Sequence, residues 1–415
     1  MKRRSIADPL LLSALWVALL GASGQPATTA TPGPSMMRVS YVSGDVSIVR
    51  RNEKGELTTV AASVNDPLQA GDSIATGKTG RSELQLDGTT TLRLAENAKL
   101  QIASDGAKER RLELERGMAV LSLVRGTALQ DAVVLTPALT MRTNYAGDYR
   151  LDADAGTVSV RSGQASIETP HGTTSALAEK PAAPDDFDRF NAERDRVALD
   201  ALAGAGKYVP ADLAGYNDLT QYGKWQDVAN YGHVWVPQEN AAASWAPYRS
   251  GQWVWQKNYG WTWVGSEPWG WVPYHYGRWV YVTGTGWGWY PPAFGTTVVW
   301  VPAMVGFFGI TPAFGTCGGM GWVPLAPGEP YYAWNYPYPW YPPQYYYNCS
   351  HPAYPIGLSR HYANLRYGGA STATAQAWHS GNFAHTIVPY KPVQIVPQPR
   401  ATLPPPQPVR YRPPA

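Results

Sequence analysis

Three stretches of this chain carry one aromatic pattern at one spacing, and that repeat limits what the C-terminal half can fold into. Trp225 and Trp235, Trp253 and Trp263, and Trp279 and Trp289 are each ten residues apart. Inside each pair lies a turn-like centre: Val228-Ala-Asn-Tyr-Gly232, Gln256-Lys-Asn-Tyr-Gly260 and Val282-Thr-Gly-Thr-Gly286. Alternate side chains of a strand share a face. Folding each unit about its centre therefore predicts the outer rungs Trp225/Trp235, Trp253/Trp263 and Trp279/Trp289. The inner rungs become Asp227/His233, Trp255/Trp261 and Tyr281/Trp287. The spacing predicts a tandem array of β-hairpins with one aromatic face, repeating after 28 and then 26 residues.

Composition agrees with strands and turns rather than helices. Among 415 residues there are 18 Trp, 26 Tyr, 41 Gly and 37 Pro, and only 16% are charged. The net charge of +3 includes +2 from Lys2, Arg3, Arg4 and Asp8 near the N-terminus. What remains is too small a field to recruit nucleic acid.

Residues 1–24 read as a secretory signal peptide: a basic start (Lys2-Arg3-Arg4), an apolar run from Pro9 to Leu20, and small residues through Gly24. The run is shorter than the ~20 residues that span a bilayer, and no later segment is long and apolar enough. The chain is therefore expected to be exported, periplasmic or extracellular, without a transmembrane span after cleavage. Cys317 and Cys349 then read as a disulfide closing a 31-residue loop. The sharper alternative, Cys317 as a nucleophile, needs a base and an orienting group that the sequence does not supply.

Residues 38–170 form a separate all-β block. Alternation is plain in Val46-Ser-Ile48, Glu83-Leu-Gln-Leu86, Leu92-Arg-Leu94, Leu112-Glu-Leu114 and Val158-Ser-Val160, with glycine turns at short intervals. This block resembles the FecR domain of bacterial envelope proteins. The residues that carry the resemblance are Gly44-Asp-Val46, Leu68-Gln-Ala-Gly-Asp-Ser-Ile-Ala-Thr-Gly77, Arg81-Ser-Glu-Leu-Gln-Leu-Asp-Gly88, Leu112-Glu-Leu-Glu-Arg-Gly117, Thr136-Pro137 and Val158-Ser-Val-Arg-Ser-Gly163. In the best-known members the domain lies in the periplasm and relays ligand status from an outer-membrane transporter to a cytoplasmic sigma factor. Here it begins about a dozen residues after the signal segment, so the sigma-regulating half is expected to be missing.

Residues 171–184 read as a linker and 185–203 as the one helix, its charged residues a solvated face or, alternatively, a partner-binding one. Residues 216–330 hold the aromatic module. The tripeptide Trp-Val-Pro recurs there at Trp235, Trp271, Trp300 and Trp322, each expected to mark a strand end or edge because proline cannot donate to a ladder. With Phe187-Asp-Arg-Phe190 and Gly321-Trp-Val-Pro-Leu325, residues 185–330 resemble a tryptophan-rich family of unknown function that often follows FecR domains. Residues 331–355 are Tyr/Pro-rich, and 386–415 read as a disordered, basic Pro-rich tail. The fold class is mainly β throughout.

Catalytic signatures are absent, and the seven histidines lack ligand spacing, so no metal and no cofactor are expected. Glu267, beside Trp269 and Trp271, is the one carboxylate placed for work on a glycan. The aromatic face has three readings: a core in a region poor in Leu and Ile, a stacking platform for envelope glycan, or a protein-docking surface. If a ligand binds, Trp255, Trp261, Tyr281 and Trp287 are the candidates, because inner rungs lie next to the turns. The function expected is non-enzymatic binding or scaffolding in the cell envelope. A FecR-like regulator of transport or signalling, and an envelope glycan hydrolase, are the alternatives.

Overall fold

A computed structural model describes residues 36–52, 54–106, 108–124, 131–178, 183–205, 208–209, 213–241, 245–256, 259–293, 298–310, 319–331 and 362–390. The signal segment, both cysteines and nearly all of the Tyr/Pro-rich segment and tail lie outside these residues.

Leucine-rich alternation in the first half produces two face-to-face sheets. The seven-stranded sheet runs, edge to edge, Thr157–Ser162, Gly147–Asp152, Met118–Leu123, Thr90–Leu94, Arg81–Gln85, Met37–Ser43, Pro67–Leu68. The nine-stranded sheet runs Gly172–Leu177, Gln164–Thr169, Thr140–Thr143, Asp131–Leu135, Glu109–Arg116, Lys99–Asp105, Ser73–Thr76, Val46–Arg51, Leu57–Ala61. Asp131–Leu135 pairs parallel with Glu109–Arg116, and its other neighbour is antiparallel. Register aligns the apolar residues in rows: Val39, Leu84, Leu92, Leu121, Tyr149 and Val160 cross the first sheet. Ile48, Ile74, Leu100 and Leu114 cross the second. Both rows belong to one buried cluster, as expected when period-two patterning sets the register.

Two expectations change here. The segment read as a linker begins with the strand Gly172–Leu177, paired along its length with Gln164–Thr169. Its Thr-Thr-Ser sequence carries no apolar alternation because the strand is an exposed edge. The charged residues of the helix Asp186–Ala205 are also only partly solvated. Arg189–Asp186 and Arg196–Asp200 are exposed pairs along the helix. Asp188, however, binds Arg150 and Arg161, Asp195 binds Arg93, and Arg194 binds Glu83. The helix is thereby clamped across the outer face of the seven-stranded sheet, with Phe187 buried against Ala95 and Val120.

The aromatic half folds around rings. The first and third hairpins join, through Trp235 opposite Trp289, into a four-stranded sheet ordered Gly223–Val228, Gly232–Pro237, Gly286–Tyr290, Arg278–Val282. The second, Gly251–Gln256 with Gly260–Gly265, forms its own two-stranded sheet. The array is thus tandem in sequence but not in space. Another sheet combines Val305–Ile310, Gly319–Pro324, Ser371–Ala373 and Val388–Pro389, so two residues near the start of the expected 386–415 tail belong to a paired strand.

Of the Trp-Val-Pro repeats, those at Trp235 and Trp322 do end strands. Trp271-Val-Pro273 instead opens the short helix Trp271–His275. Proline fits there because the first turn of a helix leaves its N–H groups unbonded anyway. That helix, Tyr216–Tyr222 and Ala375–Ser380 are further helices beyond the one expected.

Candidate functional site

The three hairpins share one local design. Tyr231 N–H donates to Val228 O, Tyr259 N–H to Gln256 O and Thr285 N–H to Val282 O, at 3.0, 3.1 and 3.0 Å. The glycine that follows each turn, Gly232, Gly260 or Gly286, has φ of 72°, 79° or 97°, a region closed to most side chains. All the predicted rungs form: Trp225↔Trp235 and Asp227↔His233, Trp253↔Trp263 and Trp255↔Trp261, Trp279↔Trp289 and Tyr281↔Trp287.

A signal the rung pattern overlooks is the glycine two residues before each first tryptophan, in Gly223-Lys-Trp225, Gly251-Gln-Trp253 and Gly277-Arg-Trp279. Each glycine lies under the outer indole of the opposite strand. A Cβ on Gly223 would come within 2.3 Å of the Trp235 ring, one on Gly251 within 2.7 Å of Trp263, and one on Gly277 within 2.7 Å of Trp289. The unit that repeats is therefore Gly-x-Trp, turn, Trp.

Outer and inner rungs have different fates. Trp235, Trp253, Trp263, Trp279 and Trp289 are buried and join one aromatic cluster with Trp269, Trp271 and Trp322, while Trp225 is partly buried against it. Several indoles are anchored by their N–H. Trp235 donates to Leu219 O, Trp279 to Pro273 O, Trp289 to Tyr276 O and Trp322 to Tyr248 O, all at 2.8–2.9 Å. Of the four candidate ligand-binding rings, Trp261 and Trp287 are only 3% and 2% exposed, which removes them as direct contacts. Trp261 is covered by Trp378 and Phe383 at 5.5 Å. That cover comes from the helix Ala375–Ser380, capped by Thr374, and from the residues just after it, a segment with no repeat signal.

Their partners stay within reach. Trp255 is half-buried, edge-on to Trp261 at 5.6 Å. Tyr281 is 38% exposed, edge-on to Trp287 at 5.4 Å and stacked at 4.7 Å on Tyr367, itself 41% exposed. Each aromatic inner rung thus presents one ring supported by a buried one.

Glu267 is in a different situation from the glycosidase reading. It lies in the loop between the second hairpin and the helix Trp271–His275, and is 7% exposed. Trp245 Nε1–H donates to its Oε1 at 3.2 Å, and Tyr274 faces it. Burial pushes the carboxyl up to about 7, only partly offset by these hydrogen bonds. Glu239, which accepts from Trp269 Nε1 at 3.0 Å, is exposed. No substrate could reach the Glu267 carboxyl without moving Trp245 or Tyr274. Among the described residues no three His, Cys, Asp or Glu side chains are grouped to hold a metal ion.

With this geometry in place, residues 72–177 match the family model described as FecR protein, and residues 216–329 match a family of unknown function (DUF6600). The chain carries a FecR domain followed by a domain of unknown function. The sheets begin before that first match, at Met37. No curated protein matches the sequence. Among solved structures, two crystal structures of a "putative anti-sigma factor" from Parabacteroides distasonis ATCC 8503, at 1.65 and 2.50 Å, are similar at 17% and 18% identity. In each case the TM-score is 0.23, with 26% of this chain and 51% of that chain covered. The chain thus spans about half the length of these solved relatives. Among the described residues no helix is long and apolar enough to cross a membrane.

Proposed function

We propose that this is a non-enzymatic, exported envelope protein in which a FecR domain is fused to an aromatic binding module. It acts by binding or scaffolding in the periplasm or at the cell surface, with an envelope glycan or envelope protein as partner. The observation that supports this reading is the split within each aromatic inner rung. Trp255 and Tyr281 reach solvent, and Trp261 and Trp287 fix them from behind. A ring held this way loses little freedom on binding, the quality that favours aromatic anchors at recognition surfaces.

A regulator of transport or signalling is the second reading, favoured by the FecR match over residues 72–177. The helix Asp186–Ala205 ties the two modules together in either case. Hydrolysis of envelope glycan through Glu267 has the least support, since its carboxyl is enclosed.

The test is a pull-down of the full chain on peptidoglycan and envelope polysaccharide, after fractionation has established the compartment. Trp255→Ala with Tyr281→Ala removes two stacking rings worth about 0.5–1.5 kcal/mol each, so retention should fall about tenfold while the melting temperature stays near wild type. Undiminished retention by the double variant would remove glycan stacking from the proposal.

A further inference from the structure

The nine-stranded sheet ends, among the described residues, on the strand Gly172–Leu177, whose outer side no other strand joins. A two-residue turn, Pro170-His171, links it to Gln164–Thr169, so Thr169 and Gly172 close the hairpin as a hydrogen-bonded pair. Alternation then turns the backbone N–H and C=O of Thr173, Ser175 and Leu177 away from the sheet. Natural edges are usually blunted by charge, proline or a bulge. This one is not: pairing runs without a break from Gln164↔Leu177 to Thr169↔Gly172, and the strand holds neither a charged residue nor a proline.

A cavity lies beside this edge. The strands Thr140–Thr143 and Gln164–Thr169 pair from Thr140↔Glu168 to Arg142↔Ser166 and then part. Into the gap opens a space of about 240 Å³ whose walls include Tyr145, Gln164, Ser166, Ser175 and Leu177. Its frame is fixed by hydroxyls: Thr143 Oγ1–H donates to Gln164 O at 2.8 Å, and Tyr149 O–H to Tyr145 O at 2.9 Å. Tyr145 and Leu177 are 51% and 64% exposed, so apolar wall faces solvent. Arg142 and Asp131 also line the space but pair with each other, and Arg142 pairs with Glu109 as well. The volume is below the roughly 300–1,000 Å³ of small-molecule pockets and suits one large side chain.

We propose that this edge and cavity form a peptide-binding site on the FecR domain. An extended segment of another protein adds a strand beside Gly172–Leu177 and places one uncharged apolar or aromatic side chain in the cavity. In strand addition the main chain gives affinity and a pocket for alternate side chains gives specificity. Here Thr173, Ser175 and Leu177 offer the main-chain groups, and Tyr145 and Leu177 the apolar contact. A second copy of this chain fits less well. The strand's six residues present about 20 Å of edge, and pairing along that edge alone falls short of the roughly 1,200 Å² that a stable interface buries. A peptide needs no more than the edge and the cavity. The site uses neither Trp255 nor Tyr281, so it stands apart from the aromatic platform.

The test is selection of a randomised nine-residue peptide library on the full chain. Enriched peptides should alternate in polarity and share one large apolar position. When such a peptide binds, the amides of Thr173, Ser175 and Leu177 should become protected from hydrogen exchange. S175P removes one outward N–H without touching the ladder to Gln164–Thr169, and should weaken the selected peptide about tenfold. Y145A, which strips one wall of the cavity, should weaken it to a lesser degree. Trp255→Ala with Tyr281→Ala should bind it as wild type does, which separates this site from glycan stacking. Should S175P fail to fold, S175K, which brings a charge into the cavity, should give the same loss. The proposal is overturned if no peptide is enriched, if the three amides stay unprotected, or if the serine variants bind as tightly as wild type. A dimer in sedimentation that S175P dissolves also overturns it, because a second copy then holds the edge.

Discussion

Trp263→Ala is expected to unfold the aromatic module while leaving the FecR sheets folded. Trp263 is fully buried and packs against Trp253 at 5.2 Å, Tyr248 at 5.9 Å, Trp322 at 6.0 Å and Tyr274 at 6.3 Å. Truncating a buried Trp to alanine typically costs about 3–5 kcal/mol, because the cavity it leaves is only partly filled by relaxation. Few Leu or Ile side chains are nearby to collapse into the space, which places this site toward the upper end. In denaturant titration of the full chain, the near-ultraviolet signal of the indoles should be lost early and the strand signal later. Trp255→Ala should cost under about 1 kcal/mol, since its ring is only partly buried. Equal losses at the two positions would show that the outer rungs are not the core.

Acid should release the clamp helix from its sheet, with Glu83 as the group responsible. Glu83 is buried, accepts from Arg93 Nε and Arg194 Nη2 at 2.7 Å each, and sits beneath the helix Asp186–Ala205. Burial alone would raise its carboxyl, but the two guanidinium groups outweigh burial and hold it down at about 2, against 4.5 unperturbed. For a depressed carboxyl, the stabilisation is present above the unfolded value and is lost as pH falls toward the folded one. The window here runs from about 4.5 down to about 2, and the amount at stake is of the order of 3 kcal/mol. Glu83→Gln should flatten stability over that window. It should also destabilise the protein by about 3–5 kcal/mol at neutral pH, because Arg194 loses the carboxylate it pairs with and Arg93 keeps only Asp195. Urea titrations at pH 6 and pH 3 test this, and identical pH slopes for variant and wild type would exclude Glu83 as the acid-sensitive group.

These two acid–base elements have opposite signs. Glu83 is held down by its two arginines, whereas burial holds Glu267 up at about 7. Both carboxyls are buried, and the charges around them decide between them: Arg93 and Arg194 converge on Glu83, whereas among the described residues no cation is among the groups that shift Glu267. A sequence that places Glu83 within an alternating strand and Glu267 before Pro268 contains no trace of that difference.

What the sequence determined is pairing. Hairpin register depends on residues within a dozen positions of one another, and the turn residues with their glycines at positive φ specify it locally. All six rungs, the Leu-rich rows of the FecR sheets and the span of the helix after it follow from that short-range chemistry. Tertiary structure alone decided which rung faces are covered, since Trp378 and Phe383 arrive over Trp261 from more than a hundred residues away. It also decided that the first and third hairpins share a sheet without the second, and that the charged side of Asp186–Ala205 crosses to Arg93, Arg150 and Glu83. Burial and ion-pair partners are properties of distant elements brought together, and side-chain periodicity along one strand or helix carries no record of what will lie against it.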